Sequence, residues 1–381
     1  MIRSILLLIT FLLAPCLQAE ITFLTISDIH YGQENHRIEG QDTDPPLLSL
    51  AMKKMQQLSR SVDFIITLGD FPTHLLGYSS KRAGYIKTVF HTLSQADSAG
   101  KPLFFVTGNN DSLQGNYQSF FWKGHSVLSL APDWKNACIH CDTLLVDPSH
   151  LWQEGYYSSY VRHGDKNILL IVLNSSQFAN PPFWIPKYPN QRRAARAQLH
   201  WFAEQLATHH AKQLLIALHI PPGHDHKGRL TWQAPFQKEF IHLLRQASPR
   251  YGEISLLTAH THMDDIRKIQ LDHQHALYAY ATPSISPIHH NHSAMKIFTL
   301  NKNDQITNYT TYYTPSPTHW GTQHYQARAD LFPTCHAPSL AACLDALSPP
   351  AVCEIFKAGL FYGAKSPRVD ASVCRFTYVV N

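Results

Sequence analysis

Aspartate, asparagine and histidine residues follow five apolar runs of this chain. Residues 21–26 are apolar and β-branched, read as a buried strand, and hand over to Ser27, Asp28, Ile29 and His30. Asp28 and His30 lie one residue apart, so on extended backbone both side chains point to one face. Hard and borderline metal ions use that pairing. The arrangement recurs. Residues 62–68 run into Gly69 and Asp70, and 102–107 into Gly108, Asn109, Asn110 and Asp111. Residues 212–218 end in His219, and 253–258 in Ala259, His260, Thr261 and His262. A chance scatter of 25 histidines would not favour strand ends so consistently. Open α/β sheets gather ligands at those ends.

The donor set is therefore Asp28, His30, Asp70, Asn109, His219, His260 and His262. Seven oxygen and nitrogen donors exceed what one tetrahedral ion takes and suit two, with one carboxylate bridging. Two cations a few ångströms apart hold a hydroxide at neutral pH, polarise a phosphoryl oxygen and stabilise the charge of the transition state. No Gly-rich phosphate loop, serine elbow or dinucleotide fingerprint competes for the role.

Helices must alternate with those strands to hold them. Pro45-Pro46 opens one, with Leu47, Leu48, Ala51, Met52, Met55 and Leu58 at helical spacing. A second covers about 85–96 and a third 191–208, with Leu199, Trp201, Phe202 and Leu206 inward. Residues 156–162 and 168–174 read as a hairpin about the turn 163–167. The pattern indicates a layered α/β domain. Beyond His262, the segments 265–271, 276–281, 296–300 and 306–313 read as antiparallel strands completing a second sheet. Residues 180–190 carry four prolines with Phe183, Trp184 and Tyr188, a stiff aromatic loop that is either surface packing or a substrate lip. His289, His290 and His292 cannot all face one ion and read as an exposed loop. His224 and His226 are solvated or lie near the site mouth, and Asn174 caps a strand or stands behind the metals.

The composition, 44% hydrophobic and 15% charged over 381 residues, suits one large folded domain with at most a small appendage. The net charge of +5 is small, and the densest basic patch, 191–196, reads as a solvated helix face, so no nucleic-acid-binding surface is evident. Residues 1–19 read as a secretory signal peptide, with Arg3 before the apolar core 5–13, too short to span a bilayer. No later segment is long enough either. A secreted or periplasmic protein follows, and Cys16 leaves with the leader. The six cysteines left form an even set suited to disulfides: a local Cys138–Cys141 bridge, with a redox or zinc pair as the alternative there, and Cys335, Cys343, Cys353 and Cys374 stapling the C-terminal region in a pairing the sequence does not reveal. The chain divides into the leader 1–19, a catalytic domain 20–314 and a C-terminal subdomain 315–381.

In order and rough spacing, Asp28-Ile29-His30, Gly69-Asp70, Gly108-Asn109-Asn110-Asp111, His219 and Ala259-His260-Thr261-His262 resemble the calcineurin-like metallophosphoesterase superfamily. Within it, Ser27 to His30, Gly69 to His74 and His219-Ile220-Pro221-Pro222-Gly223 resemble the acid sphingomyelinase-like phosphodiesterases. The resemblance implies a four-layer fold, two mixed β-sheets in a sandwich flanked by helices, with a small disulfide-containing helical C-terminal subdomain. It implies one metal on Asp28, His30, Asp70 and His262 and another on Asp70, Asn109, His219 and His260, zinc by preference, with Mn or Fe as alternatives. Asn110 stands where the superfamily places a leaving-group histidine and is a candidate catalytic residue, since asparagine can hydrogen-bond a phosphoryl oxygen but cannot deliver a proton. His74, four residues after the bridging Asp70, matches a family histidine and is the expected general acid. The Gly-Asn-Asn-Asp motif also resembles that of fungal endopolyphosphatases. Ala259 replaces a glycine with a residue nearly as small. The expected activity is hydrolysis of phosphodiester bonds in a small phosphoester or a phospholipid head group. A nucleotide or polyphosphate phosphohydrolase is the alternative, and a non-catalytic metal-containing binding protein, supported by Asn110 alone, is the alternative of another class. Oligomeric state is not readable.

Overall fold

Two mixed sheets form the frame in the computed structural model, which describes residues 20–32, 41–74, 80–134, 138–186, 188–316, 318–355 and 373–381. The leader expected at 1–19 lies outside the described residues. One sheet holds β1 (Ile21–Ile26), β2 (Phe64–Thr67), β3 (Leu103–Phe105) and β4 (Cys138–Ile139). The other holds β5 (Leu145–Asp147), β6 (Tyr157–Arg162), β7 (Asp165–Leu173), β8 (Gln213–Leu218), β9 (Glu253–Thr258), β10 (Ile266–Gln270) and β11 (Ala276–Ala281). The chain then returns to the first sheet for β12 (Ser293–Leu300), β13 (Ile306–Thr314) and β14 (His324–Gln326), and β15 (Val379–Val380) closes the edge of the second. The orders are β14-β13-β12-β1-β2-β3-β4 and β15-β10-β11-β9-β8-β7-β6-β5.

The helices are α1 (Pro45–Ser59), α2 (Lys81–Ala96), α3 (Leu151–Glu154), α4 (Gln191–Thr208), α5 (Ala234–Ala247), α6 (Leu340–Asp345), α7 (Pro349–Ile355) and α8 (Cys374–Thr377). Asp44 accepts a hydrogen bond from the Leu47 N–H at 2.8 Å and caps α1, which buries Leu47, Leu48, Ala51, Met52 and Met55 as their spacing predicts. The period of β7 separates two cores. Leu170 and Val172 join the core that includes β1, β2, α1 and α2, whereas Leu169, Ile171 and Leu173 pack with α4 and α5. The result is the four-layer architecture expected.

The late strands depart from the sequence reading. Of these four only β10 and β11 join the second sheet; β12 pairs back onto β1, with Phe23 opposite Phe298, and β13 pairs onto β12. In addition, β11 runs parallel to β9, not antiparallel. Alternation tells which face of a strand is buried but not which strand it pairs with. Residues 234–247, to which no helix was assigned above, form α5 behind a first-turn proline and bury Phe236, Phe240, Ile241 and Leu244. Disulfides join Cys138 to Cys141, Cys335 to Cys343 and Cys353 to Cys374. Between the sheets, the buried Lys296 ammonium donates to Asp264 at 2.5 Å and to the Ala281 carbonyl at 2.6 Å. Asp264 also accepts from Thr311 and Tyr325, so this charge is paired and hydrogen-bonded, as a buried charge must be.

Candidate metal centre

β1, β2 and β3 run parallel in one sheet and β8 and β9 in the other, and sharp turns follow β1, β2 and β9. Asp28, His30, Asp70, His260 and His262 all have φ between 45° and 69°, left-handed backbone that residues other than glycine avoid. Such strain persists only where neighbours over-determine it, and they do. The Asp28 N–H donates to Gly69 O at 2.9 Å, His30 N–H to Asp70 O at 3.0 Å and Ala259 N–H to His219 O at 2.9 Å. Gly69 adopts φ +88°, and a Cβ there would strike the Gly108 backbone. At Gly108 an added Cβ would overlap the Asp70 carboxylate. Only glycine lets these two loops approach so closely.

The loops bring six of the expected donors together, and Asn109 lines the same cleft. His30 Nε2 lies 3.6 Å from Asp28 Oδ1 and 3.6 Å from Asp70 Oδ2. His219 Nε2 lies 3.2 Å from Asp70 Oδ2 and 3.7 Å from Asp28 Oδ1, and His262 Nε2 is 3.4 Å from Asp28 Oδ1. Asp28, His30 and Asp70 form one group of ligand-capable atoms, and Asp70, His219 and His260 a second, with Asp70 common to both. His262 clusters with His30 and His74.

These residues fit divalent cations. Asp28 Oδ1, His30 Nε2, His219 Nε2, His262 Nδ1 and Asn109 Oδ1 are buried without a hydrogen-bond partner, an arrangement that costs energy unless something else satisfies it. Backbone carbonyls orient two of the rings: His30 Nδ1–H donates to Pro72 O at 3.0 Å and His219 Nδ1–H to Leu68 O at 2.7 Å, leaving Nε2 for a metal. Burial opposes charge on Asp28 and Asp70, yet the neighbouring His219 and His30 hold both carboxylates below their ordinary range. Burial likewise opposes charge on the imidazoles of His30 and His219, and the carboxylates outweigh it, raising both to about 9. A site that draws protons this strongly demands positive charge, which divalent cations supply. His260 is instead lowered to about 3, by burial first and then by His219, and His262 is lowered by burial. Both are held in the neutral form that ligates metals.

Several residues that serve this centre escaped the sequence reading. Asp111 belongs to a motif quoted above but had no role; its carboxylate accepts from the backbone N–H groups of Asp70 (2.7 Å), Phe71 (2.8 Å) and Gly108 (2.7 Å), stitching two loops together. Burial, then the Asp70 charge, pushes it up to about 6. Asn110 donates its backbone N–H and side-chain amide to the two Asp70 oxygens at 2.7 and 2.9 Å. The Arg82 guanidinium donates to Asn110 O at 2.6 Å. Asp42, given no role above, is buried and accepts from His74 Nδ1–H (3.0 Å), His74 N–H (2.8 Å), Thr73 Oγ1–H (2.6 Å) and Ser286 Oγ–H (2.9 Å). The His74 ring stacks on His30 with centroids 3.8 Å apart.

The centre opens into a cleft of about 590 Å³, lined by Asp70, His74, Asn109, His260 and His262 and walled by His226, Lys227, Arg229 and His289, with Val373, Cys374 and Thr377 from the chain's end. His289 departs from the exposed loop expected. Its ring lies 4.7 Å from that of His262, beside a left-handed turn at His290 (φ 61°). His226 is at the cleft mouth, one of the two places expected for it. Asn174 caps the end of β7, its Oδ1 accepting from Ser176 N–H at 3.2 Å.

Among known proteins, the chain matches a curated "Sphingomyelinase phosphodiesterase D" from Dictyostelium discoideum at 25% identity over 306 residues, 72% of this chain. The chain spans 61% of that relative's length. Similar solved structures include a dimetal phosphatase from Danio rerio, at 13% identity and TM-score 0.49, covering 80% of this chain and 98% of the other. A 5'-nucleotidase from Candida albicans matches at 14% identity and TM-score 0.43, covering 74% and 47%. The model of the calcineurin-like phosphoesterases matches residues 21–264, which contain all seven expected ligands. The chain belongs to the calcineurin-like phosphoesterase family, whose members are metal-dependent phosphoester hydrolases.

Proposed function

We propose that this protein is an exported phosphodiesterase with two divalent cations, zinc by preference, one held by Asp28, His30, Asp70 and His262 and the other by Asp70, Asn109, His219 and His260. The observation that carries the proposal is the set of buried, unpartnered atoms on Asp28, His30 and His219 gathered about Asp70. Bound there, the cations supply a nucleophile from water at neutral pH and polarise the phosphoryl group. The chain's own side chains do the rest. Asn110 holds both oxygens of the shared carboxylate in place. Asp42 engages His74 Nδ1–H, leaving Nε2 as the atom that gives a proton to the departing oxygen. In this reading 20–314 is the catalytic domain and 315–381 a C-terminal subdomain that lends the cleft one wall.

Support for export comes from the three disulfides, which persist in oxidising compartments, and from the leader-like residues 1–19. Among the described residues no helix is long and apolar enough to cross a membrane. Support for a diester substrate comes from the name of the Dictyostelium relative. Purified protein is expected to hydrolyse bis-p-nitrophenyl phosphate and to lose that activity with a chelator. No turnover with zinc, manganese or cobalt would favour a non-catalytic metal-containing protein.

One observation favours a second reading, a nucleotide or polyphosphate phosphohydrolase. The cleft wall carries Lys227 and His226, with Arg229 paired to Asp225 at 2.7 Å, and its described lining holds no Trp, Tyr or Phe on which a choline cation could rest. Scoring released phosphate against released phosphocholine over a substrate panel separates the two readings.

A further inference from the structure

We propose that the loop tip at Phe183 and Trp184 docks the protein on a lipid surface bearing anionic head groups, with the metal cleft facing that surface. This proposal stands apart from the phosphodiesterase reading, because it rests on another part of the molecule.

Phe183 is 94% exposed and Trp184 64%, the most exposed large apolar side chains among the described residues. The two rings meet edge to face, with centroids 5.1 Å apart. A turn closed by Ile185 N–H and Pro182 O at 3.0 Å presents them. Pro181, Pro182, Pro186 and Pro189 flank the tip. Proline has no N–H, so this segment takes few unsatisfied backbone donors into an apolar phase, where each would be costly.

The roots of the loop are fixed, and fixed to the cleft. Tyr188 is buried, and the Gln118 side-chain amide donates to Pro186 O at 2.7 Å. The neighbouring Tyr117 donates its N–H to Asn109 O at 2.8 Å and places its hydroxyl 3.3 Å from His260 Nε2. On the other side, Asn180 N–H donates at 2.8 Å to the carbonyl of Thr231, which lines the cleft. The tip thus stands on the two segments that border the metal-binding loops, and a surface it enters lies against the cleft mouth.

Charge and area select the occupant. Helix α4 begins directly after the loop, and Arg192, Arg193 and Arg196 are exposed there with no ion pair among the described residues. Two aromatic side chains fall well short of the roughly 800 Å² per partner that a stable protein interface buries. Insertion of Trp and Phe beside arginines is how interfacial anchors hold anionic bilayers.

The test is co-flotation of the full chain with vesicles of phosphatidylcholine alone or mixed with phosphatidylserine. The unsubstituted protein is expected to float with the mixed vesicles in preference. The double variant Phe183→Ser, Trp184→Ser is expected to bind at least about tenfold more weakly with an unchanged circular dichroism spectrum. Arg192→Glu with Arg196→Glu should abolish the preference for phosphatidylserine. Trp152→Ser, at an exposed aromatic outside the 180–190 loop, should bind as the unsubstituted chain does. Absence of flotation, equal flotation of the double variant, or equal loss in Trp152→Ser would each overturn the proposal. So would a concentration-dependent dimer that the double variant abolishes, since the tip would then serve a second copy of the chain. Flotation is read without turnover, so its failure and failure of the phosphodiesterase reading are separate results.

Discussion

Asp42→Asn is the most informative single substitution at this centre. The carboxylate is buried and accepts four hydrogen bonds, from His74 Nδ1–H, His74 N–H, Thr73 and Ser286. Burial opposes its charge, and His74 and His30 hold it below the ordinary carboxylate range nonetheless. An amide at this place turns an NH₂ group toward donors that now have an acceptor. At least one bond is lost and the remainder lose their ionic character, a destabilisation of about 2–4 kcal/mol. The kinetic effect is expected to depend on the leaving group. A general acid contributes about 10²- to 10⁴-fold where the departing oxygen needs a proton. With an alkyl phosphodiester, Asp42→Asn should therefore lower kcat by about 100-fold or more. Nitrophenolate departs without help, so kcat on bis-p-nitrophenyl phosphate should change only a few-fold. His74→Ala should reproduce the same split. Equal losses on both substrates would refute a proton-donating role for His74 and leave Asp42 a structural residue.

Other substitutions probe the frame. Gly108→Ala drives a methyl group into the Asp70 carboxylate and should abolish metal retention while the far-ultraviolet spectrum stays that of a folded chain. Lys296→Met leaves Asp264 charged and buried between the sheets and should cost about 3–5 kcal/mol in denaturant unfolding. Replacing Cys353 and Cys374 with serine opens a bridge spanning 21 residues and should cost about 3 kcal/mol. Because Cys374 lines the cleft, KM should rise more than kcat falls in that variant. Chelation should lower the Tm, since the orphaned buried atoms then lose their partners, and added zinc should restore it.

Much of this centre is legible in sequence because strand ends are local features. Asp28 with His30, Asp70, Asn109, His219, and His260 with His262 each follow an apolar run directly, and the parallel pairings β1-β2-β3 and β8-β9 gather those ends. Asp42 is not legible for the opposite reason. Its partners lie 31, 32 and 244 residues away, and nothing in an irregular polar stretch marks a carboxylate that folds inward. His289 was misjudged because it sits beside a left-handed turn at His290, which no periodicity signals. The strands after His262 were recognised as strands but placed in one sheet. Alternation records a buried face, whereas the crossing from β11 to β12 decides the sheet.

Elemental analysis of purified protein, with and without Asp70→Ala, tests the central claim most directly. Asp70 is common to both ligand groups, so the account predicts two divalent ions per unsubstituted chain and loss of both in the variant. An unsubstituted chain that binds no divalent ion, or a variant that keeps two, would contradict it.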